Sequence, residues 1–497
     1  MIRNNKVKEV LKDYENIWAL SHFSALGGWD LETYAPTKAA ESRGLAMAKL
    51  SSLIQNFLTQ SSFIAKVEQI NAEKDLNVYE KAIHRILTRE IHYYKCLPKE
   101  FVETYEKVTN KALVIWRDAR MNNDFKSFAT VLEEIIDLNL RKADYLGYDV
   151  HPYDALLDIY EEGLTSNEFD GYFSEIKIFL VELLSKITSS SNYKDYSKIE
   201  ELSYNKNKAS ELNEYILQLL NADLSKLRLD ISSHPFTAGM GTNKDVRITT
   251  RYSEKDFAST ITSTIHEFGH ALYNLQVSDD LEFTPVGDTL SLGIHESQSR
   301  FWENIVGRNI NFIERFLDKV QSLGNDFKNV RKEEVYQYMN LVKPGAIRVE
   351  ADEVTYHFHI MIRYEIEKAL LSKEIKPSEL KEVWNAKYEE YLGIAPKNDA
   401  EGVLQDIHWS MGSIGYFPTY STGTVLSLTW KEEIEKQLGD INDLVKDSEG
   451  IIKIQNWLKD NIHSYGSTYT FNELIKKITG NSFNNGAWKS YLQDKYL

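Results

Sequence analysis

The 497-residue sequence contains a single cysteine, Cys96. That excludes an internal disulfide and fits a reducing compartment. For the thiol itself, a partly buried structural place suits better than a catalytic one. Proline is scarce, with 9 in all, so long helices can run with few interruptions. Positive charge is in deficit: 58 Lys and Arg against 74 Asp and Glu leave a net charge of −16. This argues against nucleic acid and anionic membrane surfaces as partners. No stretch of about 18 uncharged apolar residues occurs, and the first residues run into a charged helix pattern without an apolar signal core. The expectation is a soluble, cytoplasmic protein. Core material, by contrast, is ample, with 42% hydrophobic and 12% aromatic residues.

Helical periodicity dominates the chain. Residues 1–140 read as successive amphipathic helices with short breaks near Gly27-Gly28 and Leu97-Pro98. Thr37 to about Gln55 and Phe101 to about Met121 are two of these helices. The polar stretch from Thr188 to Tyr193 reads as a loop between helices. Residues 232–252 change character, and Val246 to Tyr252 follows a short β pattern. Helical patterns return to about 390, break over 393–424 and resume to the end. The expected fold is mainly α: a single helical body over 1–497 with a small β-sheet beside one central helix. Within it we expect a helical region to about 230, a catalytic region over about 231–424 and terminal helices from about 425.

His266-Glu267-Phe268-Gly269-His270 is the most informative segment. Histidines four apart stack on one helix face and point at a common centre, as zinc ligands do. Glu267 is turned about 100° round the helix, placed to act on an attacking water without joining the metal. The spacing predicts a helix over about 254–276, with Phe257, Ile261, Ile265, Phe268 and Leu272 on its core face and a capping box from Ser253 and Asp256. Gly269 costs roughly 1 kcal/mol against Ala there, which implies close approach of another backbone.

A catalytic zinc takes three protein ligands and keeps one position open. Glu296, 26 residues beyond His270, is the expected third ligand, on a helix that returns antiparallel to the first. Its neighbour His295 then becomes a hydrogen-bonded packing residue. Glu303, seven residues further, is open between orienting a ligand histidine and an ordinary core or surface carboxylate. His357 and His359 fit core or helix-face positions better than metal ligation.

These residues belong to a wider pattern. Beyond the His266–His270 segment the chain carries His295-Glu296-Ser297-Gln298-Ser299-Arg300, His234-Pro235-Phe236, Asp245-Val246-Arg247-Ile248-Thr249, Ile347-Arg348-Val349-Glu350-Ala351-Asp352, and Gly402-Val403-Leu404-Gln405-Asp406-Ile407-His408-Trp409. Together, and in their order along the chain, they resemble the carboxypeptidase Taq family of metallocarboxypeptidases. The resemblance implies a nearly all-helical homodimer with a deep groove, which removes single C-terminal amino acids from peptides with broad specificity. It also implies zinc, with cobalt able to substitute. On this footing His408 and Tyr420 become candidate donors to the oxyanion, although Tyr416, Phe417 and Tyr420 equally suit simple packing. Arg348, and after it Arg247, are candidates for binding the substrate carboxylate, each open to an ion pair with a nearby acid, Asp352 or Asp245. His234 is a candidate for lining the groove or supporting the metal site. The 246–252 pattern suits an edge strand that pairs with substrate. Two alternatives remain: an endopeptidase or peptidyl-dipeptidase using the same residues, and a helical scaffold with a structural zinc, for which Glu267 would serve no purpose.

Overall fold

A computed structural model describes residues 1–190 and 199–497. The fold is mainly helical with one small sheet, as the periodicity predicts. Among the described residues the chain divides into two compact units. The first takes 1–94, 199–339 and 423–487; the second takes 95–190, 340–422 and 488–497.

The first unit contains the sheet, built from β1 (Leu227–Ile231), β2 (Thr237–Gly239) and β3 (Val246–Thr250) in the order β1-β3-β2. β3 pairs parallel with β1, Leu227 opposite Val246, and antiparallel with β2, Thr237 opposite Ile248. The 246–252 segment is therefore not an edge strand. Val246, Ile248, Thr249 and Thr250 are all buried, so β3 is flanked on both sides and its backbone is committed to the sheet. The role of pairing with substrate is withdrawn for it.

Against the sheet packs the helix Phe257–Gln276. Phe257, Ile261, Ile265, Phe268 and Leu272 are all buried, at the spacing that places them on one face. The helix begins three residues later than the expected 254, and the Ser253–Asp256 capping box does not form. Asp256 is itself the cap: its side chain accepts from Ser259 N at 3.1 Å and from the Tyr338 hydroxyl at 2.6 Å. The next helix, Leu292–Arg300, is capped by Ser291 and packs against the first. Gly269 is what lets it approach. A Cβ there would lie 2.6 Å from both Gln298 O and Ser299 Cα.

The break expected at Gly27-Gly28 is absent, because a single helix runs through it from Asn5 to Thr33. Both glycines face Met47 of the helix Ala40–Leu58, with their would-be Cβ atoms 3.6 Å and 3.5 Å from its side chain. The pair makes a packing seat for a neighbouring helix. The Leu97-Pro98 break does form, between Val78–Cys96 and Lys99–Asn122. Thr188 and Ser189 close the helix Ser166–Ser189, while Ser191, Asn192 and Tyr193 of the expected loop lie outside the described residues.

The second unit is built on helices such as Phe125–Leu146, Tyr356–Leu371 and Leu380–Leu392. His357 and His359 are fully buried in it, with Nδ1 of each within 2.9 Å of a hydroxyl, of Ser421 and Tyr388 respectively. They are core histidines.

Candidate metal site

His266 and His270 stand one helical turn apart, and the Leu292–Arg300 helix delivers Glu296 to them. One donor atom from each of the three lies within 4.8 Å of the others. Glu296 Oε2 is 3.6 Å from His266 Nε2 and 3.4 Å from His270 Nε2. These separations are long for hydrogen bonds. They match two ligands of one ion: bonds of about 2.0–2.1 Å at a tetrahedral angle set donors about 3.3–3.4 Å apart. Two imidazoles and one carboxylate also form the donor set of a catalytic divalent metal site.

Each donor is oriented from behind. Nδ1 of His266 donates to Glu303 Oε2 at 2.9 Å, which presents Nε2 to the centre. Glu303 is in turn held by Arg308 Nη2 at 2.8 Å and Arg300 Nη1 at 3.3 Å. The His270 ring is stacked on His295, with centroids 4.3 Å apart. His270 Nδ1 is buried with no hydrogen-bond partner among the described residues. His295 packs onward against Tyr273 and lies 3.3 Å from the Asn274 amide, a packing residue as expected. Glu296 Oε1 accepts from Arg300 Nε at 2.6 Å. Burial alone would raise the carboxyl pKa of Glu296. The Arg300 guanidinium and the two imidazoles override it and hold the group well below the usual range. Glu303 is held low in the same way, by Arg300, His266 and Arg308 against burial.

Glu267 is 7% exposed and does not belong to the three-residue group. Its Oε2 accepts from the Thr237 hydroxyl of β2 at 2.7 Å. Gly423 completes the packing, since a Cβ there would lie 2.6 Å from Glu296 Cβ.

The family follows from comparison of the whole chain. Residues 9–496 match the family described as Carboxypeptidase Taq (M32) metallopeptidase. The chain belongs to the carboxypeptidase Taq family. Among relatives of this metallopeptidase family, the thermostable carboxypeptidase 1 of Pyrococcus furiosus is 42% identical over 498 residues, covering all of this chain and 99% of that protein. Carboxypeptidase 1 of Bacillus subtilis is 39% identical, with 96% of each covered. A solved structure of the Pyrococcus furiosus carboxypeptidase, in an apo-Mg form, matches with a TM-score of 0.98 at 42% identity over the full length of both chains. Metallocarboxypeptidase 1 of Trypanosoma cruzi matches with a TM-score of 0.92 at 32% identity, over 99% of each chain.

The other residues singled out in this family member fall into separate groups. Arg247 is paired with Asp245, both contacts 2.9 Å, and its guanidinium lies 4.3 Å from the Trp29 ring centroid. His234 is exposed in the segment before β2. In the second unit, Arg348, His408 and Tyr420 come together. The Arg348 guanidinium sits 5.1 Å from the Tyr420 ring centroid, and His408 Nε2 is 3.4 Å from the Tyr420 hydroxyl. The acid that pairs with Arg348 is Asp406, at 2.9 Å, and not Asp352, which instead accepts from Val354 N and Thr355 N. Asp406 is shared with the fully buried Arg363, whose Nε donates at 2.6 Å. Burial brings the His408 imidazole down to about 3, leaving it neutral near pH 7. Among the described residues no helix is long and apolar enough to cross a membrane.

Thr237, Arg300, Arg308, Gly423 and Arg363 carry no role in the sequence reading. Arg300 had a local signal, standing four residues after Glu296 on a helix. Arg308 meets Glu303 five residues away through a local turn, whereas Thr237 and Gly423 meet their partners only through the fold, as Arg363 does Asp406.

Proposed function

We propose that this chain is a zinc-dependent carboxypeptidase that hydrolyses the last peptide bond of peptides and releases single C-terminal amino acids with broad specificity. The convergence of His266 Nε2, His270 Nε2 and Glu296 Oε2 in a carboxypeptidase Taq family member carries this reading. Cobalt is expected to substitute for zinc, the working form is a homodimer, and the setting is the cytoplasm.

A divalent ion held by the three residues would supply Lewis acidity, polarising the scissile carbonyl and acidifying water. Glu267 takes the proton from the attacking water and returns it to the departing amine. Thr237 holds one Glu267 oxygen, and we assign the other the role of base. Glu303 fixes the tautomer of His266. We assign His408 and Tyr420 to donor roles towards the oxyanion and Arg348 to the substrate carboxylate. Their chemistry supports this: a neutral imidazole and a phenol both donate, and Arg348 is fixed by Asp406. Arg247 and His234 are assigned supporting places in substrate binding.

Timed digestion of one unblocked peptide, followed by mass spectrometry, tests the assignment. The expected product is a ladder shortened one residue at a time from the C-terminus, with the C-terminally amidated peptide resistant. Internal cuts, or release of dipeptides, would contradict it.

A further inference from the structure

The two oxygens of Glu296 have different partners. Oε2 faces His266 and His270, whereas Oε1 is taken by Arg300 Nε at 2.6 Å. The Arg300 side chain is 15% exposed and that of Glu296 6%, so this contact is largely removed from water. Arg300 also reaches Glu303, with Nη1 at 3.3 Å, so one planar guanidinium spans the ligand carboxylate and the carboxylate that orients His266.

Glu303 does not depend on Arg300 alone. The Leu292–Arg300 helix continues as a π-helical segment, Phe301–Gly307, in which Arg308 N bonds back to Glu303 O at 3.1 Å. That turn brings the Arg308 side chain to Glu303 Oε1 at 2.8 Å. The Glu303–His266 bond thus retains a cationic partner if Arg300 is lost. What Arg300 alone controls is the second oxygen of Glu296.

We propose that Arg300 is a positioning residue that makes Glu296 bind the metal through one oxygen only. This rests on the metal-site reading above. A carboxylate with both oxygens available can take an ion by one or by both. Engagement of Oε1 by a short charged hydrogen bond removes the second mode. The coordination position that Oε1 would have filled stays available to the reacting groups. A second consequence is electrostatic: a positive charge beside the ion weakens its binding. Arg300 trades affinity for an open site.

Two substitutions separate these effects. Arg300→Met removes both donor and charge. Arg300→Gln removes the charge but keeps an N–H donor one bond from Cδ, where Arg has Nε. Crystal structures of the zinc-loaded proteins and competition with a chelator provide the readouts. In the wild type, only Oε2 is expected at about 2.0–2.2 Å from zinc. R300M is expected to bind zinc through both oxygens and about tenfold more tightly. R300Q is expected to bind it more tightly through Oε2 alone, and it serves as the test should R300M fail to fold. Zinc held by both oxygens in the wild type overturns the proposal, as does weaker or unchanged zinc affinity in R300Q. So does one-oxygen binding in R300M. A wild type that holds no zinc at these residues contradicts the metal-site reading instead.

Discussion

In the mechanism proposed above, the chemical step turns on Glu267 and on Thr237, which donates to it at 2.7 Å. Replacing Glu267 by Gln keeps the shape of the side chain and removes its basicity. Turnover is expected to fall by about 10²–10⁴-fold with metal content unchanged. Unchanged turnover, measured beside metal analysis, refutes the assignment. Thr237→Val removes the hydroxyl that holds Glu267 Oε2, and turnover should drop roughly tenfold with KM nearly constant. His266, Glu267 and His270 are legible in the sequence because helical periodicity alone puts them together. Thr237 is not, since its contact with Glu267 spans 30 positions and depends on β2 lying against the helix. The Arg348–Asp406 bond spans 58 positions, which explains why the local reading offered Asp352 instead.

At the scale of elements, two glycines set the distances. Gly269→Ala gains helix propensity but drives a Cβ into the backbone of Gln298 and Ser299, which cannot yield as a flexible side chain could. A net loss of about 1–3 kcal/mol is expected, read by chemical denaturation of the metal-free protein. Gly423→Ala presses instead on the Glu296 side chain and should weaken metal binding, measured by chelator competition, more than it lowers stability. The need for close approach at Gly269 is visible in the sequence, because a glycine between two ligand positions has no propensity reason to be there. Gly423 gives no such signal. Gly27-Gly28 misled for a related reason: glycine marks both helix breaks and close helix contacts, and the sequence does not say which. Strand order was hidden as well, since a five-residue β pattern carries no record of its neighbours.

For the molecule as a whole, scarce proline and pervasive helical periodicity reveal the helical fold, while the division into two compact units left no mark in composition. Stability should carry a pH signature from Glu367, fully buried in the second unit. Burial pushes its carboxyl up to about 7, against the pull of bonds from Trp409, Gly415 N and Tyr153. The folded state therefore binds this proton more tightly than the unfolded chain, where the group titrates near 4.5. Its contribution is fully present below about pH 4.5 and is lost as pH rises through about 7. Glu367→Gln mimics the protonated form. Denaturation curves at pH 5 and pH 8 should show the wild type losing roughly 3 kcal/mol relative to E367Q; parallel pH dependence would contradict this. The central claim is that peptide hydrolysis depends on a metal at His266, His270 and Glu296, and titration of the metal-free protein with zinc tests it most directly. The account predicts no release of C-terminal residues at the start, then activity rising linearly to a break at a single equivalent per chain. Full activity in the chelated protein, before any zinc is added, would contradict it.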